Sequence, residues 1–396
     1  MADQGHQGAQ APTSRPGFNT SAEPGTHPGF LWRVTWGAVS PFTRQALGPL
    51  IVLIGVFLAT SVLAADNIPL PLGVSGGPAG EADPRVRSDL QQLAAQDARV
   101  ADVAYRLAVS NVQLCPETAP QLGLVLHSAL QYSPRLRAAV RANFGIDDRP
   151  AVLAIVPNGP AARAGLLAND ILLSVNGEPV SHRAPYQTAS ADDEPQSYHE
   201  VDNALSALQA ALRLGPANVK VQRGASALDV TLNPLKGCAY DTQLMPSDSL
   251  NASADGHHIF IDTAFASYAA SDNDLALILG HELAHDALHH RAQLDRHGFA
   301  RKLIGNLGSS RRSLISVEQQ ADYVGLYLTA RAGYDISGAG LFWRKLARDH
   351  GDPWFDHWDH PSAVTRSRAL DAARDEIAAK IKAGAPLIPN VRDSAN

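Results

Sequence analysis

Apolar positions along the chain change their period several times. Residues 46–65, ALGPLIVLIGVFLATSVLAA, form an unbroken apolar run without a charge, long enough to cross a hydrocarbon core of about 30 Å and without the polar face of a surface helix. The run predicts a transmembrane helix, with a cleaved signal peptide as the alternative because Val62 and Ala64 satisfy a small-residue cleavage pattern. Residues 1–30 are rich in Gly, Pro, Ser, Gln and Ala with no apolar periodicity, and the stretch 1–45 before the run is expected to be a disordered cytoplasmic tail. After a Gly/Pro-rich linker at 68–84, Leu90, Leu93, Ala94, Val100, Val103, Ala104 and Leu107 recur at helical spacing, so 86–109 is expected to be an amphipathic helix. A second helical stretch is expected over 119–143.

From Phe144 the period shortens. FGIDDRPAVLAIVPNGPAARAGLLANDILLSVNGEPV holds brief β-branched runs punctuated by Asn-Gly and Gly-Pro, with a small helix at 161–164. A helix over 201–213 and strands at 218–223 and 227–233 complete a β-rich unit. Two apolar helices follow. SDNDLALILGHELAHDALHH, residues 271–290, opens with Ser271 and Asp274 in a capping-box arrangement and is apolar on all sides, hence buried. SVEQQADYVGLYLTARAG is expected to start at Ser316 and end near Gly333.

The 396 residues are 45% hydrophobic and 18% charged, which fits two or three globular domains. A formal net charge of -6 argues against nucleic acid as a partner. Arg33 and Arg44 precede the apolar run while Asp66, Glu81 and Asp83 follow it, which places the N-terminus in the cytoplasm and everything after residue 66 outside it. Cleavage of the run would instead leave a soluble periplasmic or secreted protein. The two cysteines, Cys115 and Cys238, exclude a cysteine-rich metal framework. They flank the β-rich unit, whose ends should lie close together, and export permits a disulfide between them.

The chemistry is concentrated in the buried helix. His281 and His285, four residues apart, project from one face and can share one tetrahedral Zn²⁺ per chain, while Glu282 beside them can take a proton from the attacking water. Downstream, Glu318 is placed to be the third ligand and Asp322, four residues on, to orient a ligand histidine. Leu288 and Arg291 occupy positions that exclude the metzincin extension. His289 and His290 are expected to be exposed, and the alternating run His258–Asp262 to be an edge strand whose Ile259 and Ile261 border an extended peptide.

Two resemblances extend this reading. Residues 144–235, with the words PNGPAARAGLLANDILLSVNG, resemble a PDZ domain of the bacterial protease-associated type, which implies that Phe144, Gly145 and Ile146 form a loop capturing a peptide carboxylate. Asn169 and the acidic insertion 183–200 depart from that pattern. Residues 238–396 resemble the membrane-associated gluzincin zinc metallopeptidase family that includes HtpX, BepA and the CaaX-processing protease, through NASADGHHIFID, GHELAH, EQQAD and DHPSAVTR. This implies zinc ligation at His281, His285 and Glu318, base function at Glu282, support from Asp322, and active-site roles for His360 and Arg366, the latter steadying the oxyanion. The short, basic stretch between His285 and Glu318 is expected to be a reduced lid or a surface-seeking segment.

The implied architecture is an α+β multidomain chain: tail 1–45, membrane segment 46–65, linker and helical segment 66–143, PDZ-like domain 144–236, and a mainly helical zincin domain 237–396 with a small edge-strand sheet. The implied function is a zinc endopeptidase of the bacterial envelope acting on protein substrates in quality control. The alternative from another class is a PDZ binding module or chaperone with a structural, non-catalytic zinc site.

Overall fold

The structure, a computed structural model, describes residues 83–180, 196–296, 307–350 and 362–390. The apolar run 46–65, most of the acidic insertion, part of the segment expected as a lid, and His360 lie outside the described residues. Among the described residues no helix is long and apolar enough to cross a membrane.

Helix α1 (Pro84–Ser110) begins where Asp83 accepts a hydrogen bond from the Arg85 N–H at 2.9 Å, with Pro84 in its first turn. It is about 40 Å long at 1.5 Å per residue, and its two halves enter different cores. Val86 and Leu90 pack with Ala151 and Ile171, whereas Val100, Val103, Leu107 and Ala108 join the C-terminal helices.

The helix expected over 119–143 is instead β1 (Thr118–Gln121), β2 (Leu124–His127), a 3-10 turn and α2 (Pro134–Phe144). Pro120 has no N–H for a helical hydrogen bond, and Gly123 adopts φ 66°, so no helix runs through them. Next come β3 (Ala151–Ile155), the one-turn α3 (Pro160–Arg163), β4 (Ile171–Val175), β5 (Glu178–Pro179), α4 (His199–Leu214), β6 (Ala217–Arg223) and β7 (Ser226–Leu232). Strands β2, β3, β4, β6 and β7 form an antiparallel sheet in that order, with β5 folded onto β4. The sheet expected from Phe144 onward therefore takes its edge strand from residues 124–127. Asn176 and Gly177, at φ 50° and 87°, make the tight β4–β5 turn. Helix α4 lays Val201, Ala204, Leu208 and Leu212 onto Val152, Leu172, Val219 and Val221.

Strand β8 (Leu235–Cys238) returns to pair with β1, from Thr118 opposite Cys238 to Gln121 opposite Leu235. Cys115 and Cys238 are joined by a disulfide, as expected, with Cα atoms 5.5 Å apart. A second sheet is built from β9 (Asp241–Met245), β10 (Ala252–Ala254) and β11 (His258–Asp262) in the order β10-β11-β9. This corrects the sequence expectation for β11. It is the central strand, paired on both sides, and Ile259 and Ile261 are buried in the core, so neither borders a peptide. The outer edges belong to β9 and β10, and β10 packs on the helix formed by residues 272–287.

The remaining helices are α5 (Thr263–Tyr268), α6 (Asp272–Ala287), α7 (His290–Arg296), α8 (Leu307–Arg331), α9 (Ala339–His350) and α10 (Ala363–Lys382). Helix α6 opens on the expected reciprocal cap: Ser271 Oγ accepts from the Asp274 N–H, and the Asp274 carboxylate accepts from the Ser271 N–H, both at 3.2 Å. Its Leu275, Leu277, Ile278, Leu279 and Leu283 are all buried, each contributing about 1.5–3 kcal/mol. Helix α8 starts at Leu307, upstream of the expected Ser316. It meets α6 backbone to backbone at two glycines. A Cβ on Gly325 would lie 2.8 Å from the Gly280 carbonyl oxygen, and one on Gly280 would lie 2.9 Å from that of Gly325.

Candidate metal centre

The glycine contact sets the site. His281 follows Gly280 directly, while Glu318 and Asp322 stand about two turns and one turn before Gly325, so close approach of the helices turns these side chains toward each other. The Nε2 atoms of His281 and His285 are 3.1 Å apart, and the Glu318 carboxylate lies 3.3 Å from the first and 3.5 Å from the second. A tetrahedral Zn²⁺ with bonds of about 2.0–2.1 Å holds its ligand atoms about 3.3–3.4 Å apart. The three residues fit such an ion as they stand. Among the described residues, His281, His285 and Glu318 are the group of His, Cys, Asp and Glu side chains close enough to share one ion.

Behind the ligands lies a buried ion pair. His281 Nδ1 is 3.0 Å from Asp322 Oδ1, and that oxygen accepts from Arg366 Nε at 2.9 Å and Nη2 at 2.6 Å. The guanidinium also stacks 3.4 Å over the Trp343 ring. Burial alone would raise the Asp322 carboxyl, but Arg366 and His281 outweigh it and hold it below the usual carboxylate range. Burial likewise disfavours the charged form of His281, yet Asp322 and Glu318 raise its proton affinity to about 9. Two carboxylates converging on one imidazole are a place for a cation.

Arg366 itself requires a correction. Its side chain is 1% exposed and engaged with Asp322 and, through Nη2 at 3.2 Å, with Nδ1 of His281, away from the Nε2 atoms, so it cannot reach an oxyanion. It fixes Asp322, which in turn sets the tautomer of His281. Asp322 is placed as expected, and Glu282 is 5% exposed on α6 between the two histidines.

Two residues of this site were not anticipated. His289 is exposed as expected, but His290 is buried, with Nδ1 3.1 Å from Nδ1 of His285. The cause is local: His289 takes φ 53°, which ends α6 and folds the next residue back onto the helix. Burial, followed by the nearby His285, pushes the His290 imidazole down to about 4. Asp286, one turn after Glu282, is also buried, and its Oδ1 accepts from the Gly256 N–H at 2.8 Å. That bond ties the turn after β10 to α6. The signals were a doubled His at a helix end and an acid in the middle of an apolar helix.

In the β-rich unit, Phe144, Gly145 and Ile146 do not form a carboxylate loop. Gly145, at φ 65°, is the left-handed cap of α2, and its N–H donates to Arg141 O at 2.8 Å. Ile146 is buried and Phe144 packs edge-on to His127. The loop ahead of the edge strand is instead Leu122-Gly123, whose carbonyl oxygens accept from Ala161 and Val156 N–H groups at 3.0 and 2.9 Å. The glycine before a short apolar strand, QLGLVLH, was the signal.

Fold and site together define a chain in which a PDZ-like sheet precedes a His-Glu-x-x-His helix whose two histidines meet a glutamate from a second helix. Comparison with known proteins agrees: residues 218–304 match peptidase family M48, and residues 152–195 match the PDZ domain. The mitochondrial metalloendopeptidase OMA1 of Arabidopsis thaliana is 27% identical over 172 residues, covering 39% of this chain and 36% of the relative. Human mitochondrial metalloendopeptidase OMA1 is 27% identical over 150 residues, covering 28% of each. The chain thus spans about a third of the length of the curated relatives it matches. A solved HtrA3 PDZ domain bound to a phage-derived ligand covers 30% of this chain and 89% of its own at 20% identity, with a TM-score of 0.21.

Proposed function

We propose that the chain is a zinc-dependent endopeptidase that hydrolyses peptide bonds of protein substrates. The observation that carries the reading is the convergence of His281, His285 and Glu318 at 3.1 to 3.5 Å, with the buried Glu282 next to His281 in the chain. Zinc held there would supply Lewis acidity toward the scissile carbonyl and acidify a water. Glu282 takes the proton of the attacking water and passes it to the leaving amine. The substrate backbone pairs with the outer edge of β10, which Asp286 holds against α6 through Gly256.

We assign peptide capture in the PDZ-like unit to the edge of β2 and the face of α4 beside Leu122-Gly123, in place of residues 144–146. Anchorage by residues 46–65 in the bacterial inner membrane, an exported catalytic domain, active-site support from His360 and a role in protein quality control complete the proposal. Replacing Glu282 by Gln tests it: proteolysis of an unfolded protein should disappear while zinc content stays at that of the wild type. Undiminished cleavage by that variant refutes the assignment, and a wild type that binds zinc but cleaves nothing supports the structural-zinc alternative.

A further inference from the structure

The two ligand histidines are supported differently. His281 has the Asp322 carboxylate at its Nδ1, whereas the Nδ1 of His285 faces the Nδ1 of another imidazole, that of His290, at 3.1 Å. Two ring nitrogens can approach to that distance only if one carries a hydrogen and the other presents a lone pair. Nε2 of His285 must keep its lone pair to face the ion, so its hydrogen resides on Nδ1. His290 is then the acceptor through Nδ1 and carries its own hydrogen on Nε2, a buried atom with no hydrogen-bond partner among the described residues.

We propose that His290 is the positioning residue of His285: a neutral imidazole that fixes the tautomer and ring orientation of the second metal ligand, the task Asp322 performs for the first. The proposal rests on the zinc-centre reading above. Its geometry depends on few torsions. His290 is buried at the first position of α7, and the left-handed His289 holds it against α6. A neutral acceptor also orients His285 without adding a further carboxylate to a site that already contains Glu282, Glu318 and Asp322, where another buried negative charge would be costly.

The test separates orientation from packing. Asparagine places its Oδ1 the same number of bonds from Cα as the histidine Nδ1, so His290→Asn keeps the acceptor, whereas His290→Leu fills the space without one. Zinc affinity of the full chain would be measured by competition with a chromophoric chelator, and site geometry by the visible spectrum of the Co²⁺-substituted protein. His290→Leu should lose about 10- to 100-fold in zinc affinity and alter the cobalt spectrum, while His290→Asn stays within about threefold of the wild type. Wild-type affinity in His290→Leu overturns the proposal, as does a His290→Asn variant as weak as His290→Leu. A wild type that binds no zinc defeats the zinc-centre reading and this inference with it, whereas tight binding by both wild type and His290→Leu defeats this inference alone.

Discussion

Arg366 and Asp322 form an ion pair with side chains only 1% and 5% exposed, in which one carboxylate oxygen accepts from the guanidinium Nε and Nη2 and faces His281. Breaking such a pair leaves an uncompensated charge in the interior, at a cost of about 3–5 kcal/mol. Arg366→Met should lower stability by that order in urea denaturation. Adding Asp322→Leu should recover much of the stability, because a matched apolar pair replaces a matched ionic one. It should not recover zinc affinity, since His281 then has no acceptor for its Nδ1–H. Recovery of both would mean that Asp322 does not orient the ligand.

The crossing of Gly280 and Gly325 yields a second expectation. A methyl group on Gly325 meets backbone atoms at 2.8 to 2.9 Å, and backbone cannot swing aside as a long side chain can. Gly325→Ala should therefore separate α6 from α8, costing about 1–3 kcal/mol as overpacking typically does. Zinc affinity should drop along with stability, because Glu318 and the two histidines sit on opposite sides of that contact. Calorimetry with and without zinc checks this, and an unchanged metal-induced shift in Tm would show that the site does not depend on the close crossing.

The metal centre was legible because it is local: His281, Glu282 and His285 share one helix, and Glu318 and Asp322 share another. Parts that depend on chain reversal were not. His290 lies one residue beyond a left-handed histidine, and no periodicity argument crosses such a break. Strand β11 looked like an edge because alternation reports which side of a strand is buried and not how many neighbours it has. The β2 strand was absorbed into an expected helix although Pro120 and Gly123 argued against one. Arg366 was placed near the site, but its direction, toward Asp322, depends on a third helix, α10, docking behind the first two.

His127 gives a pH dependence unrelated to the metal. It is 2% exposed at the end of β2, and burial lowers its imidazole from 6.5 to about 4. Between those values the unfolded chain binds a proton that the folded chain refuses. Stability is therefore complete above pH 6.5 and falls as the pH drops toward 4, by at most about 1.4 kcal/mol per pH unit from this group. Between pH 7 and pH 5 the wild type should lose about 1–2 kcal/mol more than His127→Phe. Equal losses in the two proteins would show that His127 is not the group responsible.

The disulfide supplies the last prediction. Cys115 lies between α1 and β1, and Cys238 ends β8, the strand paired with β1, so the bond closes a loop around the whole PDZ-like sheet. With a sequence separation of 123 between the two cysteines, the chain-entropy model gives about 4–5 kcal/mol, an upper figure because residual structure in the reduced chain lessens it. Both sulfurs are buried, and α1, β1 and β8 pack together around them, so the folded ribbon should outlast brief reduction. Protein isolated without reductant and denatured should show no reactive thiols, and after reduction two per chain, the number in the sequence. Cys115→Ser together with Cys238→Ser should keep the fold and its zinc but unfold at lower urea. Two free thiols in unreduced protein would remove the bond, and with it the support this pairing gives to an exported catalytic domain.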